Sequence, residues 1–250
     1  MTSLPWLPKD AVAQLPWLSV AQMREVDRAM VEDYGIVLLQ MMEHAGRHLA
    51  HLARARFLGG DVRGQRVIVL AGTGGNGGGA LVCARRLAGW GAAVTVGLSA
   101  DERLFRDVPG HQLAIVKHLG LPVLRAAALP ERAPALVVDG IIGYSLKGAP
   151  SEAVAELIEW ANAASDRILS LDVPSGLDAT TGVPSERTIR AAATLTLALP
   201  KRGLRTPGAR PFVGELYLAD IGVPPQLFAG PPLGLPAVQA FACADLVRIE

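Results

Sequence analysis

With 250 residues, 50% of them hydrophobic and 19% charged, the chain has the length and apolar content of one large α/β domain, which excludes the disordered class. Lys+Arg 24 against Asp+Glu 23 leaves no field that would imply nucleic acid or a membrane surface, so a ligand must be recognised locally. Cys83 and Cys243 are too few and too far apart for a disulfide framework or a zinc site. With no secretory pattern at the start and no bilayer-length apolar run, the expected location is the cytoplasm.

Residues 1–18 read as an N-terminal arm and 19–250 as the folded domain. The arm carries Leu4-Pro5-Trp6-Leu7 and, again, Leu15-Pro16-Trp17-Leu18, and its two tryptophans are expected to anchor it on an apolar patch of this subunit or a neighbour. Ser19 with Gln22 forms a capping box for a helix through Met23, Val26, Asp27 and Met30 that stops near Tyr34-Gly35. Leu38, Leu39, Met42, Ala45, Leu49 and Leu52 recur at helical spacing, which makes Met41 and Met42 core residues. His44, His48 and His51 lie about a turn apart, but no carboxylate or cysteine completes a metal face, and they read as a packed or solvated one.

Arg66 to Ala71 has the uninterrupted apolar character of a strand buried on both faces, and Ala80 to Ala88 that of an amphipathic helix. Between them runs Gly72-Thr73-Gly74-Gly75-Asn76-Gly77-Gly78-Gly79. Such a turn is expected to use positive φ and to present bare N–H groups at a helix N-terminus, where an anion is favoured. A phosphate-bearing nucleotide is therefore the expected ligand. The triphosphatase pattern is absent, and no acid follows at the spacing of the dinucleotide fingerprint, Asp101 being the nearest.

Strand and helix then alternate: a strand over 92–98, a helix from Val108 to Leu119, and a short segment at Pro122-Val123-Leu124. Ala135 to Gly143 is a strand ending on Asp139, followed by a loop at Gly143-Tyr144-Ser145-Leu146-Lys147-Gly148 over the crevice and a helix capped by Ser151. The pattern returns at Arg167 to Asp178, with Asp172 and Ser175 at the strand exit. Ligands gather outside the carboxyl ends of such strands. Asn76, Asp139, Asp172 and Ser175 thus offer oxygen ligands for a hard cation and a spare carboxylate for proton transfer. Ala191 to Leu199 and Gly214 to Gly222 contain further strands; Lys201 and Arg202 between them meet a ligand phosphate or remain solvated, and Pro224 to Pro236 is a peripheral connector.

The ordered set from about Ser19 to Val223 resembles the NAD(P)H-hydrate epimerase family, the YjeF N-terminal domain. It comprises Met23-Arg24-Glu25-Val26-Asp27, Met42-Glu43-His44-Ala45-Gly46, the glycine turn with Leu81 to Arg85, Asp139 to Gly148, Asp172 to Gly176, Pro200-Lys201 and Ala219 to Gly222. The resemblance implies a Rossmann-like three-layer α/β/α sandwich with a mostly parallel central sheet, usually dimeric. The implied enzyme interconverts the R and S hydrates of NADH and NADPH (NADHX and NADPHX), so that a fused or separate dehydratase repairs the whole pool. It also implies potassium held by Asn76, Asp139 and Ser175. Substrate contacts would come from Gly75, Asn76, Gly77, Gly78, Gly79, Gly143, Tyr144, Ser145, Leu146, Lys147, Gly148, Ala149 and Asp172, with Asp172 as the catalytic acid and base. Here Gly75, Gly79 and Ala80 stand where the family usually has asparagine, aspartate and glycine, and His44 where asparagine is common. A non-catalytic module binding a nucleotide-like ligand or a protein is the alternative reading.

Overall fold

The structure, a computed structural model, describes residues 4–130, 133–146, 148–236 and 239–250. Its centre is β1 (Arg66–Ala71), whose side chains alternate between two cores. Val67 and Val69 join one core with α2 (Val20–Glu32), α3 (Leu38–Leu52), α4 (Gly75–Gly89) and α5 (Asp107–His118). Ile68 and Leu70 join the other with α6 (Glu152–Ala164). A strand covered on both sides has no polar face, which is why it reads as one apolar run. Each fully buried aliphatic side chain contributes roughly 1.5–3 kcal/mol.

The other strands are β2 (Ala93–Leu98), β3 (Val123–Arg125), β4 (Leu136–Gly140), β5 (Ile168–Leu171), β6 (Ala193–Leu197), β7 (Glu215–Ala219) and β8 (Leu246–Arg248). One 8-stranded sheet has the order β3-β2-β1-β4-β5-β6-β7-β8, and only β8 runs antiparallel. The order reverses between β1 and β4, so a crevice opens at their carboxyl ends. This is the three-layer α/β/α arrangement with a mostly parallel sheet that the family resemblance implies.

Several local expectations change. The helix after β1 begins at Gly75, so Asn76 to Gly79 lie in its first turns and only Gly72 to Gly74 form the turn. None of these glycines has positive φ; they are needed for close approach. A Cβ on Gly72 would stand 1.8 Å from the Ile141 carbonyl oxygen, and one on Gly77 1.8 Å from that of Gly72. Ser19 and Gln22 do form the capping box, whereas Ser151 takes the N-cap position of α6 without a side-chain bond.

The arm contains a short helix, α1 (Lys9–Gln14), and adds to the sheet edge, Leu7 N–H donating to Arg248 O at 2.9 Å and Arg248 N–H to Pro5 O at 2.8 Å. Leu7, Leu15 and Leu18 are the buried anchors. Trp17 packs half-buried against the same core with Arg205 over its ring at 5.2 Å, whereas Trp6, 60% exposed, lies under the Arg248 guanidinium at 4.4 Å. The connector after Pro224 includes α8 (Pro225–Ala229), and residues 246–248 pair antiparallel with β7. A four-residue helix, α7 (Arg210–Val213), precedes β7.

Candidate active site

Two adjacent strands end in the same way. After β5, Val173 N–H returns to Leu171 O at 2.9 Å, with Asp172 at φ +67° between them; after β6, Leu199 N–H returns to Leu197 O at 2.7 Å around Ala198 at φ +62°. A non-glycine residue in this region costs of order 1–3 kcal/mol, and such strain gathers at functional sites. The first turn aims the Asp172 carboxylate into the crevice, and the second brings Lys201 back beneath it. Lys201 Nζ stands 2.5 Å from Asp172 Oδ1 and donates to Leu197 O at 2.8 Å, its side chain fully buried. Asp172 Oδ2 accepts the Tyr144 N–H at 3.1 Å. Lys201 is thus not solvated.

The crevice is a cleft of about 520 Å³. Gly75, Asn76, Gly143, Tyr144, Ser145, Leu146, Ala149 and Asp172 line it, together with Asp27, Met42, Ser99 and Lys201. Gly77, Gly78 and Gly79 are buried below and do not reach it, Gly148 stands outside its wall, and Lys147 lies outside the described residues. Met42 is both core and cleft wall, its sulfur 3.7 Å from where a Cβ on Gly75 would lie.

Opposite Asp172, the Tyr144 hydroxyl donates to Asp27 Oδ2, so the loop after β4 is tied to α2 on one side and to Asp172 on the other. Burial raises the Asp27 carboxyl above its ordinary value, opposed by the Tyr144 hydrogen bond; burial and then the Asp27 charge push the Tyr144 phenol up. Gly143 keeps open the space between two acceptors: a Cβ there would lie 3.1 Å from Asn76 Oδ1 and 3.2 Å from Asp172 Oδ2.

Asp139 and Ser175 sit under the floor, both fully buried. Asp139 Oδ1 accepts from Ser175 Oγ at 2.6 Å and Ile141 N–H at 3.2 Å; Oδ2 accepts from Ser170 Oγ at 2.8 Å and Ser175 N–H at 2.9 Å. Burial raises the Asp139 carboxyl, against the lowering by these donors, all of them neutral. Asn76 Nδ2 donates to Leu171 O at 3.0 Å, joining α4 to the β5 exit. The sequence reading missed Ser170, the burial of Lys201 and the Asp27–Tyr144 link.

The histidines form no metal face. His48 is buried, and burial pushes it down to about 4; His51 lies against Trp90 at 5.1 Å. No group of three or more His, Cys, Asp or Glu side chains suited to a metal ion occurs among the described residues.

The family model described as YjeF-related protein N-terminus matches residues 38–203. The chain belongs to this family. An NAD(P)H-hydrate epimerase of Dehalogenimonas lykanthroporepellens is 47% identical over 84% of both chains, and one of Rhodopirellula baltica 35% identical over 86% of this chain and 88% of its own. A bifunctional NAD(P)H-hydrate repair enzyme of Salinibacter ruber is 34% identical over 84% of this chain, which spans only 41% of that protein. A yeast protein of known crystal structure superposes with a TM-score of 0.77 at 25% identity, over 94% of this chain and all of its own.

Within the YjeF-related family frame, the glycine at position 79 has a local rationale, since a Cβ there would stand 2.9 Å from a Leu171 methyl; one on Gly75 would be in ordinary contact with Leu38 and Met42, at 3.6–3.8 Å, and nothing in the structure explains that substitution. In this chain an apolar Met42–Leu38 shelf borders the turn, while the backbone N–H groups of Gly74 to Asn76 remain at the cleft.

Proposed function

We propose that this chain is an NAD(P)H-hydrate epimerase, acting on the hydrated nicotinamide ring of NADHX and NADPHX. The observation that carries this reading is the Asp172–Lys201 pair, buried at 2.5 Å yet lining the cleft at the topological switch point. It supplies a proton-handling group where a dinucleotide's ring would lie, and the epimerase relatives carry the activity in their names.

The hydrated carbon bears a hydroxyl next to the ring nitrogen. As the pair protonates that oxygen, the nitrogen lone pair forms the C=N bond, the C–O bond breaks and water leaves a planar iminium. Water then adds from either face and returns its proton to the pair, so the centre is inverted without a redox step. Tyr144 N–H on Oδ2 and the strained turn fix the carboxylate, while the backbone N–H groups at the start of α4 meet the phosphates.

Asn76, Asp139 and Ser175 fit a potassium ion by donor type, and Asp139 supplies a physical reason for one. It is a buried carboxylate whose partners among the described residues are all neutral, a state that a cation would relieve. Potassium would supply that charge and stiffen the β1, β4 and β5 exits. The bifunctional relatives support a dehydratase, fused or separate, as the consumer of the product. A homodimer and a cytoplasmic location complete the reading; none of the described helices is long and apolar enough to cross a membrane.

The test is epimerisation of purified (R)-NADHX to the S form against the spontaneous rate, with and without potassium. Acceleration that is lost in Asp172→Asn supports the enzyme. No acceleration by the folded protein refutes it and leaves a binding module.

A further inference from the structure

The carboxyl edge of the sheet continues beyond the cleft. Ser99, just after β2, lines the cleft, and its chain neighbour Leu98 lines a second, more open groove together with Asp101, Glu102, Arg103, Val123, Leu124 and Arg125. The order β3-β2-β1-β4-β5 puts the glycine turn, at the end of β1, midway. Asp172, after β5, is two strands away on one side; the groove, at the ends of β2 and β3, is one to two strands away on the other. At about 4.8 Å per strand, both arms reach roughly 5–10 Å from the turn. A nicotinamide dinucleotide is itself two nucleoside halves about a central pyrophosphate. With the pyrophosphate on the turn and the hydrated ring at Asp172, the adenosine half falls in the β2–β3 groove.

The groove's chemistry selects among adenosines. Asp101 would be the candidate acceptor for a free ribose diol, but Arg103 occupies it, with Nε 2.8 Å from Oδ1, Nη2 3.0 Å from Oδ2 and its own N–H 3.0 Å from Oδ1. Arg103 first, and Arg125 also, hold the Asp101 carboxyl well below its ordinary value. The Arg103 Nη1 group takes no part in that contact, and the exposed Arg125 makes no ion pair among the described residues. Glu102, the other nearby acid, is paired with Lys117. Two guanidiniums thus line the groove with Asp101 and with Glu102, whose charge Lys117 already meets, a balance that suits a phosphate better than a diol.

We infer that Arg103 and Arg125 form a subsite for the 2′-phosphate of the adenosine ribose, which makes the phosphorylated dinucleotide hydrate the preferred substrate. The inference rests on the epimerase reading above and names the substrate class of that same site. Asp101 acts as the positioning residue that holds the Arg103 fork over the groove.

The experiment compares kcat/KM for (R)-NADPHX and (R)-NADHX in the wild-type chain, in Arg103→Ala/Arg125→Ala and in Asp101→Asn. The wild type is expected to favour NADPHX by about tenfold or more, the scale of a charge-assisted contact. That ratio falls at least fivefold in the double variant and by less in Asp101→Asn. A wild-type ratio near one, or an equal loss on both substrates in the double variant, overturns the subsite, as does an Asp101→Asn defect confined to NADHX. Equilibrium binding of NADPH and NADH, followed by nicotinamide fluorescence, separates this inference from the one beneath it. If neither hydrate is epimerised but NADPH still binds more tightly and loses that advantage in the double variant, the catalytic reading fails and the subsite stands. Equal binding of the two dinucleotides sinks the subsite.

Discussion

Two carboxylates leave neighbouring strands of this sheet at the same edge, and the chain treats them oppositely. Asp139 on β4 is wrapped by two serines and two backbone N–H groups, all neutral, and is shut beneath the floor. Asp172 after β5 shares Oδ1 with a buried ammonium and turns Oδ2 toward the cleft. Both sequences read as an apolar run ending in aspartate. The difference comes from what the rest of the chain delivers: Ser170 and Ser175 to one, Lys201 to the other. A carboxylate paired with a buried ammonium at the cleft wall is suited to chemistry, whereas one fixed by neutral donors is suited to hold a cation.

The sharpest way to break that contrast is at the reacting group. Asp172→Asn is expected to lower the epimerisation rate about 10²–10⁴-fold, the range for losing a general acid–base, as measured by conversion of (R)-NADHX. Asp139→Asn should leave more activity than that when potassium is saturating. If both variants are equally dead while still binding NADPH, the two carboxylates do not differ in role.

Lys201→Met is the corresponding test on stability. It leaves the Asp172 carboxylate buried beside a methionine, and breaking a buried pair in this way costs about 3–5 kcal/mol. Chemical denaturation reads the loss. Adding Asp172→Asn to Lys201→Met should restore part of it, because the double variant buries no lone charge; a strictly additive result would mean that the two groups are not coupled.

Asp139 gives a pH and salt test. Its folded pKa is raised by burial above the ordinary 3.8. Its contribution is therefore fully present below that ordinary value and is lost as pH rises through the folded one. In potassium-free buffer, Asp139→Asn should decline less in stability than wild type as pH rises from about 4 to 7, the start of that window being the ordinary carboxyl value. A bound cation offsets the same loss. Potassium at about ten times its Kd would add about 1.4 kcal/mol, or about 3–6 °C in Tm for a chain of this size. Potassium at matched ionic strength that moves wild type and Asp139→Asn equally would remove the ion from this site.

How much of this was legible beforehand follows the range of the interactions. The strands β1, β2 and β4 to β7, the capping box at Ser19 and the crevice at the strand exits are local patterns, and they stand where the sequence pattern put them, whereas β3 was legible only as a short segment. The glycine run was legible as a site but not in its reason: Gly72 and Gly77 are required by a carbonyl 1.8 Å from where a Cβ would lie, a contact between segments that no single stretch displays. Lys201 was misjudged for the same cause, since nothing near Pro200 shows that Asp172 lies above it. β8 escaped because three residues carry too little alternation to mark a strand, and Trp6 because its partner Arg248 is at the other end of the chain.

The smallest expected difference, about 1 kcal/mol between two pH values, isolates the charge on Asp139. Ser170→Ala removes the hydroxyl that donates to Oδ2 at 2.8 Å and leaves that oxygen with only the Ser175 N–H. A hydrogen bond to an ionised acceptor is worth roughly 1.5–3 kcal/mol and one between neutral groups nearer 1. With Asp139 ionised at neutral pH, the variant should lose about 2 kcal/mol at pH 7 and about 1 kcal/mol near pH 4. Equal losses at the two pH values would mean that Asp139 keeps its proton throughout. A neutral carboxyl has no call for a cation, and the contrast with Asp172 would then be one between a buried acid and an ion pair.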